Sequence, residues 1–235
     1  MKKSMTAVAA CLIAGMVSAQ IVSQNIVGYQ TIDMPTGYRD YTSTFIPVGS
    51  DGTAIRLGDI TPVNFSGEFG DTIQFFNLNG SGSVSATVTY YDGYGWCDAY
   101  TLDILDDMTL PVGTGMFVYS SQTDVSFMVA GEVLTDSFQL NVASGYTVVG
   151  NSSPVAITLG DIVPSNFSGE NGDTAQFFSA TGSGSVVTTV TYYDGYGWCD
   201  AYTLDLLDTM VLNPGDSFFA YCSQSGASFT FPAVL

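Results

Sequence analysis

The sequence predicts an all-β protein of two tandem sandwich-like domains derived from an internal duplication, and three observations carry that reading. The first is composition. Of 235 residues, 46% are hydrophobic, 13% aromatic and only 11% charged, with Thr, Val, Tyr, Phe, Ser and Gly abundant and Lys, Arg and Glu scarce. Such a chain is too apolar for disorder and has the residue types of strands and turns. The second is self-similarity: residues 57–130 align without a gap on 159–232, with 49 identities in 74 positions, and 87–103 equals 189–205 at all seventeen. The third is a period of two. Val84, Ala86, Val88 and Tyr90 alternate with Ser85, Thr87, Thr89 and Tyr91, and Val186 to Tyr193 repeats the pattern, as a half-buried strand requires.

Taken along the chain, residues 1–19 read as a secretory leader. Lys2 and Lys3 open it, Met5 to Val17 is an apolar run, and Val17-Ser18-Ala19 offers small residues for cleavage before Gln20. Cys11 raises the alternative of a lipoprotein box, disfavoured because the apolar run continues well past it. The run is too short to leave a membrane span in the mature chain. The first domain then covers 20–133 and the second 134–235, with no Pro-rich or Ser-rich linker between them, so closely packed copies are expected rather than tethered ones. Upstream of Leu57-Gly58-Asp59 the first copy carries six extra residues relative to the second.

Within each copy, Phe75-Phe76 and Phe177-Phe178 mark a strand that turns at Asn79-Gly80-Ser81-Gly82 or Thr181-Gly182-Ser183-Gly184 into the alternating strand. Asp92-Gly93-Tyr94-Gly95 and Asp194-Gly195-Tyr196-Gly197 supply the next turn. Further strands are expected at Met116–Tyr119, Phe218–Tyr221, around Phe127 and Val129, and around Phe229 and Phe231. This gives roughly seven or eight short strands per copy, the spacing of sandwiches. Helical turns are expected only near Leu57–Ile60 and at Leu102–Met108, with their copies.

Charge and missing residues narrow the function. From Gln20 onward only Arg39 and Arg56 stand against 22 acids, a net charge of −20, which repels nucleic acid and anionic lipid. With no histidine anywhere and no lysine after the leader, histidine-based triads, histidine metal sites, Schiff bases and P-loop chemistry are excluded. No cofactor is expected, save a hard cation such as calcium held by oxygens.

Four groups of residues are candidates for a role. Tyr91, Tyr94, Trp96 and Tyr100, with Tyr193, Tyr196, Trp198 and Tyr202, crowd aromatics beside carboxylates. Exposed, they would form a platform for sugar rings or a protein interface. Buried, they would be core, the reading favoured for the two tryptophans, while Tyr91 and Tyr193 are open to either. Asp92, Asp98 and Asp103, with Asp194, Asp200 and Asp205, lie close enough in sequence to offer calcium oxygens but follow no EF-hand spacing, and turn formation explains them equally. Cys97, Cys199 and Cys222 are an odd set for an oxidising compartment. A Cys199–Cys222 bridge leaving Cys97 over is preferred to a Cys97–Cys199 bridge or to three buried thiols. Finally, Glu68 with Asp71 and Glu170 with Asp173 are the carboxylates a secreted hydrolase would use, although they read easily as turns, and catalysis is the least favoured class.

A longer pattern runs through Asn25-Ile26-Val27-Gly28-Tyr29, Gly37-Tyr38, Gly70-Asp71-Thr72-x-Gln74-Phe75-Phe76, Gly95-Trp96, Pro214-Gly215-Asp216-Ser217-Phe218-Phe219 and Ser228-Phe229-x-Phe231. It resembles uncharacterised secreted β-rich proteins of verrucomicrobial and planctomycete-type bacteria. The resemblance implies bacterial export and a β fold, not a reaction. The first copy departs from it at Pro111-Val112-Gly113-Thr114-Gly115. The expectation is therefore a non-catalytic, exported structural subunit of a matrix, surface layer or filament. It would associate with itself or with other surface proteins, with a polysaccharide-binding module as the alternative.

Overall fold

The computed structural model describes residues 27–42, 55–77, 79–111, 113, 115–132 and 136–233. The leader, its cleavage site, Cys11 and the domain boundary at 133/134 lie outside these residues, as do the positions 43–54, where the first copy's extra residues fall. The first copy runs Val27–Met34 (β1), Gly37–Thr42 (β2), Ile55–Arg56 (β3), Thr61–Val63 (β4), Thr72–Phe76 (β5), Val84–Tyr91 (β6), Gly95–Asp98 (β7), Thr109–Leu110 (β8), Gly115–Ser120 (β9) and Val125–Glu132 (β10). The second repeats it as Phe138–Val142 (β11), Gly145–Gly150 (β12), Ile157–Thr158 (β13), Val163–Ser165 (β14), Thr174–Phe178 (β15), Val186–Tyr193 (β16), Gly197–Asp200 (β17), Val211–Leu212 (β18), Ser217–Cys222 (β19) and Ala227–Phe231 (β20). The 3-10 turns are single ones, among them Leu57–Asp59 and Leu159–Asp161, where the sequence places them. The helical turn expected over Leu102–Met108 does not form. That segment is a loop whose Ile104 makes an isolated bridge to Cys97.

Both copies pair their strands identically and antiparallel. A five-stranded sheet runs β2-β9-β5-β6-β7, a three-stranded sheet β1-β10-β4 and a small pair β3-β8, matched by β12-β19-β15-β16-β17, β11-β20-β14 and β13-β18. One apolar cluster fills each copy. In the first, Ile73, Phe75, Val88, Trp96, Met116 and Val118 of the five-stranded sheet meet Ile32, Met34, Phe127 and Val129 of the three-stranded sheet. The alternation in β5 puts Ile73 and Phe75 inward and Phe76 on the opposite face, and beside Phe75/Phe76 the pairing with β6 skips Ser85, a bulge on that strand.

That opposite face corrects the expected pair of sandwich-like domains. The four larger sheets form a propeller-like ring. The five-stranded sheets are apolar on both faces, so each half closes over the other. Phe76 packs edge-on against Phe219 with centroids 5.0 Å apart, and Phe117 against Phe178 at 5.1 Å. Each such pair adds about 0.5–1.5 kcal/mol beyond its burial.

Backbone seals the seam at both ends with pseudo-twofold symmetry. Tyr38 N–H donates to the Gly182 carbonyl and Tyr146 N–H to the Gly80 carbonyl, each at 2.7 Å. The Arg39 guanidinium adds an ion pair with Asp216 across the seam at 3.0 Å.

Candidate functional site

The identical seventeen-residue block is the β6–β7 hairpin and the loop after it, and correspondingly β16–β17. The hairpin turns through Gly93 and Gly95, both at positive φ. A Cβ on Gly95 would lie 2.6 Å from an Asp106 oxygen. The bare glycine lets that carboxylate reach the Trp96 N–H at 2.8 Å. Beyond β7, Asp98 accepts the N–H groups of Tyr100 and Thr101 at 2.8 and 2.9 Å, an Asx turn closed by the Leu102 N–H on the Asp98 carbonyl at 3.0 Å. Those bonds, Thr101 first, hold the Asp98 carboxyl below the usual range, and Thr203 and Tyr202 do the same for Asp200. The chain then doubles back along the outer edge of β7, with Asp98 N–H bonded to the Asp103 carbonyl and Leu105 N–H to that of Trp96.

Doubling back forces Leu102 to φ 64° and Leu204 to φ 63°, a left-handed conformation that branched side chains resist by about 1–2 kcal/mol. It also turns the side chains outward. Tyr100 and Tyr202 are 80% and 82% exposed, Leu102 and Leu204 57% and 50%. Tyr94, Ile104, Tyr196 and Leu206 are exposed beside them. The structure thus sorts the aromatic candidates into three environments. Tyr94, Tyr100, Tyr196 and Tyr202 face solvent. Trp96 and Trp198 are core, their indole N–H groups donating to the Ile60 and Ile162 carbonyls at 3.0 and 2.9 Å. Tyr91 and Tyr193 are half-buried with their rings over Gly67 and Gly169. The four aliphatic residues escaped the sequence reading because the segment resembled one turn of helix. The signal available was the Asp-x-x-x-x-Asp spacing of residues 98 and 103, which favours a closed loop.

The aspartates are not gathered as a calcium site. No three Asp, Glu or Cys side chains converge among the described residues. Asp98 and Asp200 hold backbone N–H groups, Asp103 and Asp205 accept from Thr101 and Thr203, and Asp92 and Asp194 stand exposed at the hairpin tips. Of the carboxylates considered for hydrolysis, two are buried. Asp71 is fully buried, bonded to Ser66 N–H, Ser121 N–H and the Ser121 hydroxyl at 3.0, 2.7 and 2.8 Å, and Asp173 is likewise a staple within its copy.

Neither disulfide forms: Cys97, Cys199 and Cys222 are free and buried. The reason is strand order. Cys199 on β17 is separated from Cys222 on β19 by β15 and β16, three steps of about 4.8 Å, far beyond the Cα separation of about 7 Å that a bridge tolerates. Cys97 and Cys199 sit on the sheet edges farthest from the seam. Burial pushes all three thiols up, Cys222 to about 12 with Asp173 adding to the effect. The chain from residue 20 onward, with its three cysteines, is expected to ignore a disulfide reagent at neutral pH and to titrate all three thiols in guanidinium. Gel mobility that shifts with reductant would contradict this.

The fold and the site define a class: a duplicated all-β chain whose halves each hold an outward aromatic and aliphatic loop at a sheet edge. No family model, curated protein or solved structure matches the chain. No helix among the described residues is long and apolar enough to cross a membrane.

Proposed function

We propose that the chain is a non-catalytic, exported building subunit that associates with further copies through its two apolar loops. One observation carries this reading: residues 87–103 recur unchanged at 189–205, exposed positions included, while the copies differ elsewhere in both core and surface. Core pairs differ, Ile73 against Ala175, Met116 against Phe218, Val118 against Ala220 and Val129 against Phe231, all buried. The exposed Tyr94, Tyr100, Thr101, Leu102 and Asp103 recur unchanged as Tyr196, Tyr202, Thr203, Leu204 and Asp205. Exposed positions elsewhere have diverged, Val63 against Ser165 and Phe69 against Asn171, and packing does not constrain solvent-facing residues, so an unchanged exposed stretch points to a partner. A strained, outward leucine at the same place in both copies supports the same reading.

Placement supports the building role. β7 and β17 are the edges remote from the seam, so one chain offers two like patches on separate sides. Two contacts per subunit that do not close on each other propagate as a polymer. The leader pattern in residues 1–19 supplies the route out of the cell. The wild-type protein is expected to form polymers at neutral pH by negative-stain imaging and sedimentation velocity. Leu102→Asp alone should cap growth at small oligomers, and Leu102→Asp with Leu204→Asp should give monomers of unchanged fold. A wild-type chain that stays monomeric at about 100 μM, a concentration that would populate even a micromolar contact, overturns the reading. Retention on a polysaccharide that is lost in Tyr100→Ala with Tyr202→Ala would favour the carbohydrate-binding module instead.

A further inference from the structure

We propose that a cavity found on the first copy is a binding site for a neutral saccharide, a role separate from the loop contacts. The cavity is about 380 Å³ and is lined by Arg56, Asp59, Thr61, Tyr90, Asp106 and Asp107, among others. Its size falls in the range of small-ligand sites.

The lining selects the ligand class. Three carboxylates and one guanidinium in the lining, on a chain of net charge −20 after the leader, repel anions. The charged rim disfavours an apolar molecule. A bare metal ion is disfavoured because the carboxylates do not converge and Arg56 already supplies the local positive charge. A polyol answers what remains. Its hydroxyls donate to the aspartates and accept from the planar fork of Arg56, while the half-buried Tyr90 ring offers a face for its C–H groups.

The second copy shows what is special about the first. Asp59, Tyr90 and Asp106 recur as Asp161, Tyr192 and Asp208, but Thr158 stands in place of Arg56, Val163 in place of Thr61 and Thr209 in place of Asp107. Arg56 and Asp107 thus differ together, and their ion pair is long and solvent-exposed, at 3.3 Å with 56% and 96% of the side chains accessible. Such a pair adds little to stability, so packing gives no reason to keep one of the two arginines after the leader at this cavity.

The copies also supply the test. Arg56→Thr with Asp107→Thr leaves net charge unchanged and installs residues that the second copy already accommodates. The reciprocal Thr158→Arg with Val163→Thr and Thr209→Asp rebuilds the polar lining in the second copy. Isothermal titration of the full mature chain with cellotetraose, mannotetraose and chitotetraose is expected to find at least one that binds with one site per chain. Affinity should fall about tenfold or more in the double threonine variant, and the reciprocal variant should show two sites. The proposal is overturned by no binding of any of the three at about 10 mM. Affinity that survives loss of Arg56 and Asp107 overturns it as well, and so does a wild-type stoichiometry of two, which would place the sugar on the twin loops. Polymer formation is read separately and is expected to be the same in all these variants.

Discussion

Gly145→Ala is expected to cost about 4 kcal/mol or more, enough to unfold much of an ordinary domain's population. Gly145 sits at φ +103°, and a methyl group there would lie 1.9 Å from the Gly80 carbonyl oxygen. Gly80 in turn has the Ser144 carbonyl 1.8 Å from where its own Cβ would be. Both obstacles are backbone, so no side chain can swing aside. Relief requires moving β12 away from the first copy's β5–β6 turn, which breaks the Tyr146 to Gly80 hydrogen bond and draws Phe219 off Phe76. Gly70→Ala is the control. It has a similar φ of +80° but nothing within 4 Å of the added atom, so only the left-handed strain of about 1 kcal/mol applies. Urea unfolding followed by fluorescence of the buried Trp96 and Trp198 measures both. Equal midpoints for the two variants would show that the seam does not bind the halves together.

The same contrast marks what was legible in the sequence. Strands β5, β6 and β7 could be read because their period and the glycine turns between them are local properties, and each recurs in the second copy. Phe76 and Phe117 could be read as strand residues but not as seam residues. Alternation says that two faces exist and puts Phe76 on the second, but it does not say what covers that face. The glycines of the two Gly-x-Gly turns read as hairpin formers, which they are. Their second role, letting two backbones touch across the seam, depends on a partner more than sixty residues away. Cysteine count suggested a bridge that strand order forbids, and strand order is a property of the whole sheet. The exposed loop is the opposite case. Its identity between copies was plain, but its outward direction rests on the left-handed Leu102, which ends the turn and sends the chain back along β7.

Asp40 carries the second large effect, and its sign runs against ordinary acid denaturation. It lies on β2 at the seam, 5% exposed, with Oδ2 unpartnered, the Ser217 hydroxyl of β19 beside it and Arg39 and Asp216 as the charged neighbours. Burial raises its pKa to about 6 from 3.8, outweighing the opposing pull of Ser217, its own backbone and Arg39, while Asp216 adds to the rise. Because the folded value is the higher one, the native chain holds this proton more tightly than the unfolded chain between those limits. The stabilisation is complete below pH 3.8 and is lost as pH rises through about 6, leaving a penalty of about 3 kcal/mol at neutral pH for a charge kept in the seam. Asp40→Asn removes the charge and keeps the shape. It should be more stable than wild type by about 2–3 kcal/mol at pH 8 and nearly equal at pH 3.5. Carboxyls held low, such as Asp98 and Asp200, weaken both proteins alike in acid, so the difference between the two curves isolates Asp40. Unfolding free energies that stay parallel from about pH 4 to 8 would mean that water reaches the carboxylate and that the seam is open there. A converging pair would mean instead that mild acid tightens the joint between the halves, since the group that opposes their closure loses its charge in that range.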